Sequence, residues 1–247
     1  MKIGIIGGSG FEDPNILEES NEKEVETPFG NIIVTIGKIK GVDVVLLARH
    51  GKEHTITPTN VNYRGNIKAL KKEGCTHIIA TTAVGSLREE IERGDLVIMD
   101  QFIDFTRHRP ITFRENYPPG GASMHVPMAD PFNEDLRKIL IDSCKEQGIK
   151  FHEKGTVVTI EGPRLSTRAE SKMFRIWGAD VINMSISVEA ILAAEADIPY
   201  AAVAMSTDYD CWKKGEEDVT WEEILKVFKA NVDKVVNLLV NAIPKIK

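Results

Sequence analysis

Thr207, Asp208 and Asp210 follow directly on Ile198 to Met205, a short run that is almost wholly apolar and carries no charge. Such a run reads as a buried strand, and the polar cluster then stands at its C-terminal end. Two carboxyl groups at i and i+2 point the same way if the chain stays extended. A carboxyl accepts hydrogen bonds when ionised and donates one when protonated. The pair could therefore read an amino group and an adjacent ring nitrogen of a heterocyclic base. The same spacing also suits a capped loop or a solvated acidic corner.

Two other strand ends carry chemistry. Val42 to Ala48 is rich in β-branched residues and runs into Arg49-His50-Gly51. Arginine offers a planar fork suited to phosphate oxygens. Lys2 to Ile6 runs into Gly7-Gly8-Ser9-Gly10, where glycines permit close backbone approach and exposed N–H groups can cradle an anion. That turn lacks the third glycine of a dinucleotide fingerprint, the Gly-Lys-Ser/Thr of a P-loop and the last glycine of a nucleophile elbow. It reads as either a tight structural turn or an anion loop. His50-Gly51-Lys52-Glu53-His54 matches HxxEH, a zinc pattern that works only on a helix. Here it starts at a strand end and contains a glycine, so no metal site is expected.

The elements that must position these groups alternate along the chain. Strands are expected over Glu24 to Lys38, Gly41 to Arg49, Thr76 to Thr82, Leu96 to Met99, Gly155 to Ile160 and Asp180 to Met184, besides the two already named. Helices are expected over Asn60 to Glu73, Asn133 to Gln147, Ser166 to Trp177 and Ser187 to Ala196. Thr220-Trp221-Glu222-Glu223 has the form of a capping box and opens a final long helix. Asp100 to Tyr117 reads as loop, as does Pro118 to Met128, which holds His125. Strands that end in polar or glycine residues, with helices between them, point to an α/β fold with a central mixed sheet. The polar strand ends would line one crevice.

Composition narrows the function classes. The 247 residues are 42% hydrophobic with a net charge of −6, enough for one α/β core, and no linker-like stretch divides them. A negative field of this kind does not favour nucleic acid or an anionic membrane. The three cysteines are far apart and form no CxxC, as expected of reduced thiols. No apolar run approaches the roughly 20 residues of a membrane span. A strand expected within two residues of the start leaves no room for a signal peptide, so a cytoplasmic location is expected.

Five stretches, taken together and in order, resemble the purine nucleoside phosphorylase superfamily. They are Leu46-Leu47-Ala48-Arg49-His50-Gly51, Thr81-Thr82-Ala83-Val84-Gly85-Ser86-Leu87, Thr159-Ile160-Glu161-Gly162-Pro163-Arg164, Trp177-Gly178-Ala179-Asp180-Val181-Ile182-Asn183-Met184 and Thr207-Asp208-Tyr209-Asp210. The resemblance covers nearly the whole chain, as one phosphorylase domain over 1–247. It implies a three-layer fold, and a reaction in which inorganic phosphate displaces the base of a nucleoside. It implies a homotrimer or a dimer of trimers, and orthophosphate as co-substrate with no metal or organic cofactor.

Carried over by residue, the resemblance gives phosphate to Ser9, Arg49, His50 and Ser185 with the backbone near Thr82 and Ala83. It lays Met184 against the ribose, sets Asp208 at N7 of the purine and Asp210 at the 6-amino group, and brings His125 from a neighbouring subunit. Asp208, Ser185 and His50 are the catalytic candidates. Aspartate at 208, where 6-oxopurine enzymes of the family carry asparagine, favours adenine. Val219, Trp221, Ile224 and Leu225 would give an apolar 5′ pocket suited to a methylthio group. Trp221 occupies the place of a histidine in members that take a 5′-hydroxyl. Leu165 stands where an aromatic usually stacks on the base. The implied substrate is 5′-methylthioadenosine. A broader phosphorylase of adenosine or 6-oxopurine nucleosides, and a purine-binding module without turnover, are the alternatives.

Overall fold

A computed structural model describes residues 1–8, 16–117, 125–215 and 220–247; at 221 and 223–225 it describes the backbone alone. The strands are β1 (Lys2–Gly7), β2 (Glu18–Thr27), β3 (Gly30–Ile39), β4 (Val42–Ala48), β5 (His77–Ser86), β6 (Leu96–Ile98), β7 (Gln101–Phe105), β8 (Phe151–His152), β9 (Thr156–Ile160), β10 (Val181–Asn183) and β11 (Tyr200–Asp208). The helices are α1 (Tyr63–Lys72), α2 (Glu134–Glu146), α3 (Arg168–Ile176), α4 (Ile186–Glu195) and α5 (Trp221–Ala242). Among the described residues, no helix is long and apolar enough to cross a membrane.

The eleven strands among the described residues join one mixed sheet. Its middle, β4-β1-β5-β11, is parallel. β2 and β3 extend it antiparallel beyond β4. Past β5 the sheet branches: β11 continues to β6 and β8, while β10 leads through β9 to β7.

The parallel strands are apolar at successive positions because both of their faces are covered. Side chains alternate across a strand, so neighbours belong to different cores. Ile6, Leu47, Ile78 and Ala202 meet Ile67 and Leu70 of α1 and Leu192 of α4. Ile5, Leu46, Ile79 and Val203 meet Leu140 of α2 and Leu239 of α5. The α/β class and the helix-flanked mixed sheet are as the sequence leads one to expect.

Several elements differ in extent. β2 begins at Glu18, and seven of its first residues are exposed and polar, so hydrophobic patterning does not reveal it. Pro28 and Phe29 then separate it from β3, where the sequence suggests one continuous strand. The stretch read as loop contains β7, whose ladder to β9 supplies its order. The first helix starts three residues later than expected, because Pro58–Asn60 forms a 3-10 turn and Asn62 accepts from the Gly65 N–H as cap. α3 starts at Arg168 behind Thr167, which exchanges capping bonds with Glu170.

β11 runs past Met205 to Asp208, so Thr207 and Asp208 belong to the strand and not to a following loop. Its pairing with β5 slips between Ser206 and Asp208: Ser206 stands opposite Val84 and Asp208 opposite Gly85. Thr207 is thus an extra residue on β11, the signature of a bulge that re-aims side chains.

Candidate active site

The C-terminal ends of β4, β9, β10 and β11 converge with the second half of β5 around a cavity of about 420 Å³. Its two ends differ in chemistry.

One end is rich in hydrogen-bond donors. Arg49, just after β4, is buried and lies bidentate on Glu189 of α4, with Nη2 to Oε2 at 3.0 Å. Its Nη1 donates to the Thr81 carbonyl at 3.0 Å, so three of the five guanidinium N–H groups are used. Burial alone would lower the proton affinity of Arg49, but Glu189 outweighs it and fixes the charge. Tyr200 completes the support by donating to Glu189 Oε2 at 2.8 Å. Gly8 closes over this arginine: a Cβ there would lie 2.5 Å from Nη1.

His50 lines the same end, its Nδ1 2.8 Å from the Ile56 carbonyl. That contact assigns the ring hydrogen to Nδ1 and leaves Nε2 as an acceptor. Burial, then the neighbouring Arg49, pushes the His50 pKa down to about 4, so the ring is neutral at pH 7. Ser185 sits at the N-terminus of α4, where the positive end of the helix dipole favours an anion. Asn183 Oδ1 accepts from Thr159 Oγ1 at 2.8 Å and from the Ser185 N–H at 3.4 Å, fixing the approach to that helix. Thr82 and Ala83 line the wall between.

The other end is acidic. Asp208 Oδ1 accepts from Thr207 Oγ1 at 2.8 Å, and its Oδ2 accepts from the Asp210 N–H at 2.9 Å. Burial pushes its pKa up to about 6. Asp210 is buried too, which raises its pKa, and among the described residues its Oδ2 has no hydrogen-bond partner. The two carboxyls share one wall, but not through the alternation of an extended chain. Asp210 lies in a turn with φ of 46°, in the left-handed region, and its backbone N–H reaches back to Asp208. Gly85 faces them; a Cβ there would be 3.0 Å from Asp208 Oδ2.

Between the ends lie Met184 and, at the mouth, the exposed Leu165. Buried Arg109 holds this middle wall from behind. It donates through Nε to Glu161 Oε1 at 3.1 Å, through Nη1 to Tyr63 Oη at 2.8 Å and to the Met184 carbonyl, and through Nη2 to the Ile160 and Glu161 carbonyls. Burial would raise the Glu161 pKa, but the Arg107 and His108 N–H groups and Arg109 hold it down at about 2.

The structure brings Arg49, His50, Thr82, Ala83, Ser185, Met184, Leu165, Asp208 and Asp210 to one cavity. It does not bring His125 there: that ring is exposed and packs edge-on to Tyr117, centroids 5.8 Å apart. Ser9 and Val219 lie outside the described residues, as do the side chains of Trp221, Ile224 and Leu225. The HxxEH match yields His50 and His54 rings in tilted contact, centroids 4.5 Å apart, and among the described residues no metal-ligating cluster forms.

Glu189, Tyr200, Arg109 and Glu161 are supports that pattern reading misses. Glu189 left a trace: it is the lone charge in the otherwise uncharged Ile186 to Ala194, and a buried carboxylate requires a partner.

Known proteins match this chain over nearly its whole length. Residues 2–244 match the model of the phosphorylase superfamily. S-methyl-5'-thioadenosine phosphorylase of Xenopus tropicalis is 59% identical over 252 residues, covering 100% of this chain and 89% of that protein. The protein of the same name from Danio rerio is 56% identical, with the same coverage of each. The methylthioadenosine phosphorylase of Schistosoma mansoni in complex with adenine superposes with a TM-score of 0.94 at 42% identity, covering 99% of this chain and 91% of that one.

Proposed function

The chain belongs to the phosphorylase superfamily, and we propose that it cleaves 5′-methylthioadenosine with orthophosphate to give adenine and 5-methylthioribose 1-phosphate. The observation that carries this reading is the polarity of the cavity. A fixed arginine and a helix N-terminus stand at one end, and a carboxyl with its pKa raised to about 6 stands at the other.

Phosphate is assigned to Arg49, His50, Ser185 and the backbone at Thr82 and Ala83, with Ser9. Among the described residues two guanidinium N–H groups of Arg49 are left for it, and neutral His50 offers Nε2 as acceptor to a protonated phosphate oxygen. The ribose is assigned to Met184. As the C1′–N9 bond lengthens, the sugar takes on oxocarbenium character, which adjacent phosphate stabilises before its oxygen bonds to C1′. The bond electrons pass to the purine. Asp208, in its acid form, gives its proton to N7, so adenine leaves neutral. Asp210 accepts from the 6-amino group. The protein supplies position and charge, not a covalent nucleophile. Written this way, the reaction requires no resident metal or organic cofactor.

The 5′-methylthio group is assigned to Val219, Trp221, Ile224 and Leu225, with Leu165 at the base and His125 entering from a neighbouring subunit. That role for His125 goes with a homotrimer, or a dimer of trimers, acting on small molecules in the cytoplasm. An exposed ring that packs edge-on against Tyr117 is compatible with such a loan.

The test is adenine release from 5′-methylthioadenosine with and without orthophosphate, beside adenosine and inosine. Phosphate-dependent release favouring the methylthio nucleoside is expected. Release without phosphate, or binding without turnover, would overturn the reading. Sedimentation near the 27.5 kDa of a single chain would remove the neighbour's His125.

A further inference from the structure

Thr207 has one hydroxyl hydrogen and two acceptors in reach. Its Oγ1 lies 2.8 Å from Asp208 Oδ1 and 3.2 Å from the Val84 carbonyl of β5. A hydroxyl has a single hydrogen to donate, so it gives a full-strength bond to one of them at a time. Which acceptor it serves depends on Asp208.

When Asp208 is ionised, the charge-assisted bond to Oδ1 wins. When Asp208 is neutral with its proton on Oδ1, the carboxyl donates to Thr207 Oγ1, and the hydroxyl turns to Val84. Both arrangements leave the 2.8 Å contact properly paired. The bulge makes this possible. As the extra residue of β11, Thr207 is placed where it touches both the β5 backbone and the next carboxyl. Thr207 is buried, so its hydroxyl meets these protein partners and not bulk solvent.

We propose that Thr207 is a positioning residue whose hydroxyl changes acceptor with the charge of Asp208 and thereby sets the pH range in which that group serves as the acid. The proposal rests on the reaction proposed above. In the step itself, the acid hydrogen, turned from Thr207 Oγ1 to N7 when the base is bound, is transferred: the Asp208 O–H bond breaks and an N–H bond forms on the purine. The electron pair stays on Asp208, while the Thr207 hydrogen stays on Oγ1 and turns from Val84 to Oδ1. The carboxylate thus gains a donor as its charge appears, an interaction stronger after proton transfer than before.

Other charges act on the same carboxyl. Asp210, in the turn after β11, raises its pKa, and Arg93, between β5 and β6, lowers it. The Thr207 hydroxyl and the Asp210 N–H lower it as well. Neither charged group is altered by a change at Thr207.

The experiment compares Thr207→Val, Thr207→Ala and Thr207→Ser. kcat/KM for 5′-methylthioadenosine is measured from pH 5 to 9 at saturating phosphate, whose own titration is common to all variants. The falling limb should move up by about one pH unit in the valine and alanine variants. Their kcat below the limb should drop several-fold, because the carboxylate left behind lacks its donor. Serine should restore the wild-type limb. An unmoved limb in both hydroxyl-free variants, or an equal shift in the serine variant, would overturn the proposal. A second readout needs no turnover: the infrared band of the neutral Asp208 carboxyl, identified by its loss in Asp208→Asn, titrated in the free protein. The same ordering of variants is expected there. If wild type shows no phosphate-dependent release, the proposed reaction fails, and the infrared order still decides the role of Thr207.

Discussion

The carboxylate of Glu189 lies bidentate on the guanidinium of Arg49, 140 residues earlier in the chain, and both side chains are 1% exposed. Removing one partner of a buried pair leaves an uncompensated charge, at a cost of about 3–5 kcal/mol. Glu189→Gln keeps the shape and loses the charge, so a smaller fall in unfolding free energy is expected by denaturant titration. The kinetic effect should be selective. With Arg49 no longer held, the KM for phosphate should rise about tenfold or more, and that for the nucleoside much less. Equal rises in both would mean that the pair holds the fold alone.

Asp208→Asn should lower activity and raise stability together. Loss of a general acid costs about 10²–10⁴ in rate. In the folded protein burial lifts the Asp208 pKa from 3.8 to about 6, so its proton is held more tightly folded than unfolded. The associated stability is therefore full below pH 4 and is lost as pH rises through 6, by up to about 3 kcal/mol. Asparagine does not ionise. It can donate to Thr207 and accept from the Asp210 N–H, as the neutral acid does. Thermal midpoints of wild type and variant should converge near pH 4 and separate above pH 6, with the variant higher.

Gly85→Ala should impair catalysis more than folding. The added methyl would lie 3.0 Å from both Asp208 Oδ2 and Ile182 Cγ2. Overpacking of this kind costs about 1–3 kcal/mol. A displaced carboxyl should lower kcat by at least tenfold, measured on protein that circular dichroism shows to be folded.

Arg109→Lys should weaken nucleoside binding first. Lysine has three donors in place of five and no planar fork, so the bonds to Met184, Ile160 and Glu161 cannot all survive. A KM for 5′-methylthioadenosine raised about tenfold, with that for phosphate changed less, is the expected split. It is the reverse of the Glu189→Gln pattern, and the two variants measured side by side check each other.

Strand ends that carry unusual residues were legible, because an apolar run that stops at Arg-His or Thr-Asp announces a change from core to crevice. The pairing of those ends was not, since strand order depends on contacts far apart in sequence. Asp210 shows the limit of local reading. Its neighbourhood with Asp208 was inferred from an extended geometry, whereas a left-handed turn and one backbone N–H produce it. Arg109 lay in a stretch without period. Its meaning comes from Tyr63, Glu161 and Met184, which are 46, 52 and 75 residues away. β2 was half hidden because an exposed edge strand has no apolar face to show.

The branch of the sheet has a bearing on how the chain is made. β5 is complete at Ser86, yet its long parallel neighbour β11 begins only at Tyr200. At a synthesis rate of about 5–20 residues per second, the ribosome needs about 6–23 seconds to cover that interval. Through all of it the nascent chain carries an open, apolar strand flank in the middle of its future sheet. Asp208 ends the strand that closes this flank. Turnover can therefore begin only once this strand is seated, and activity reports the closure of the sheet in each new molecule.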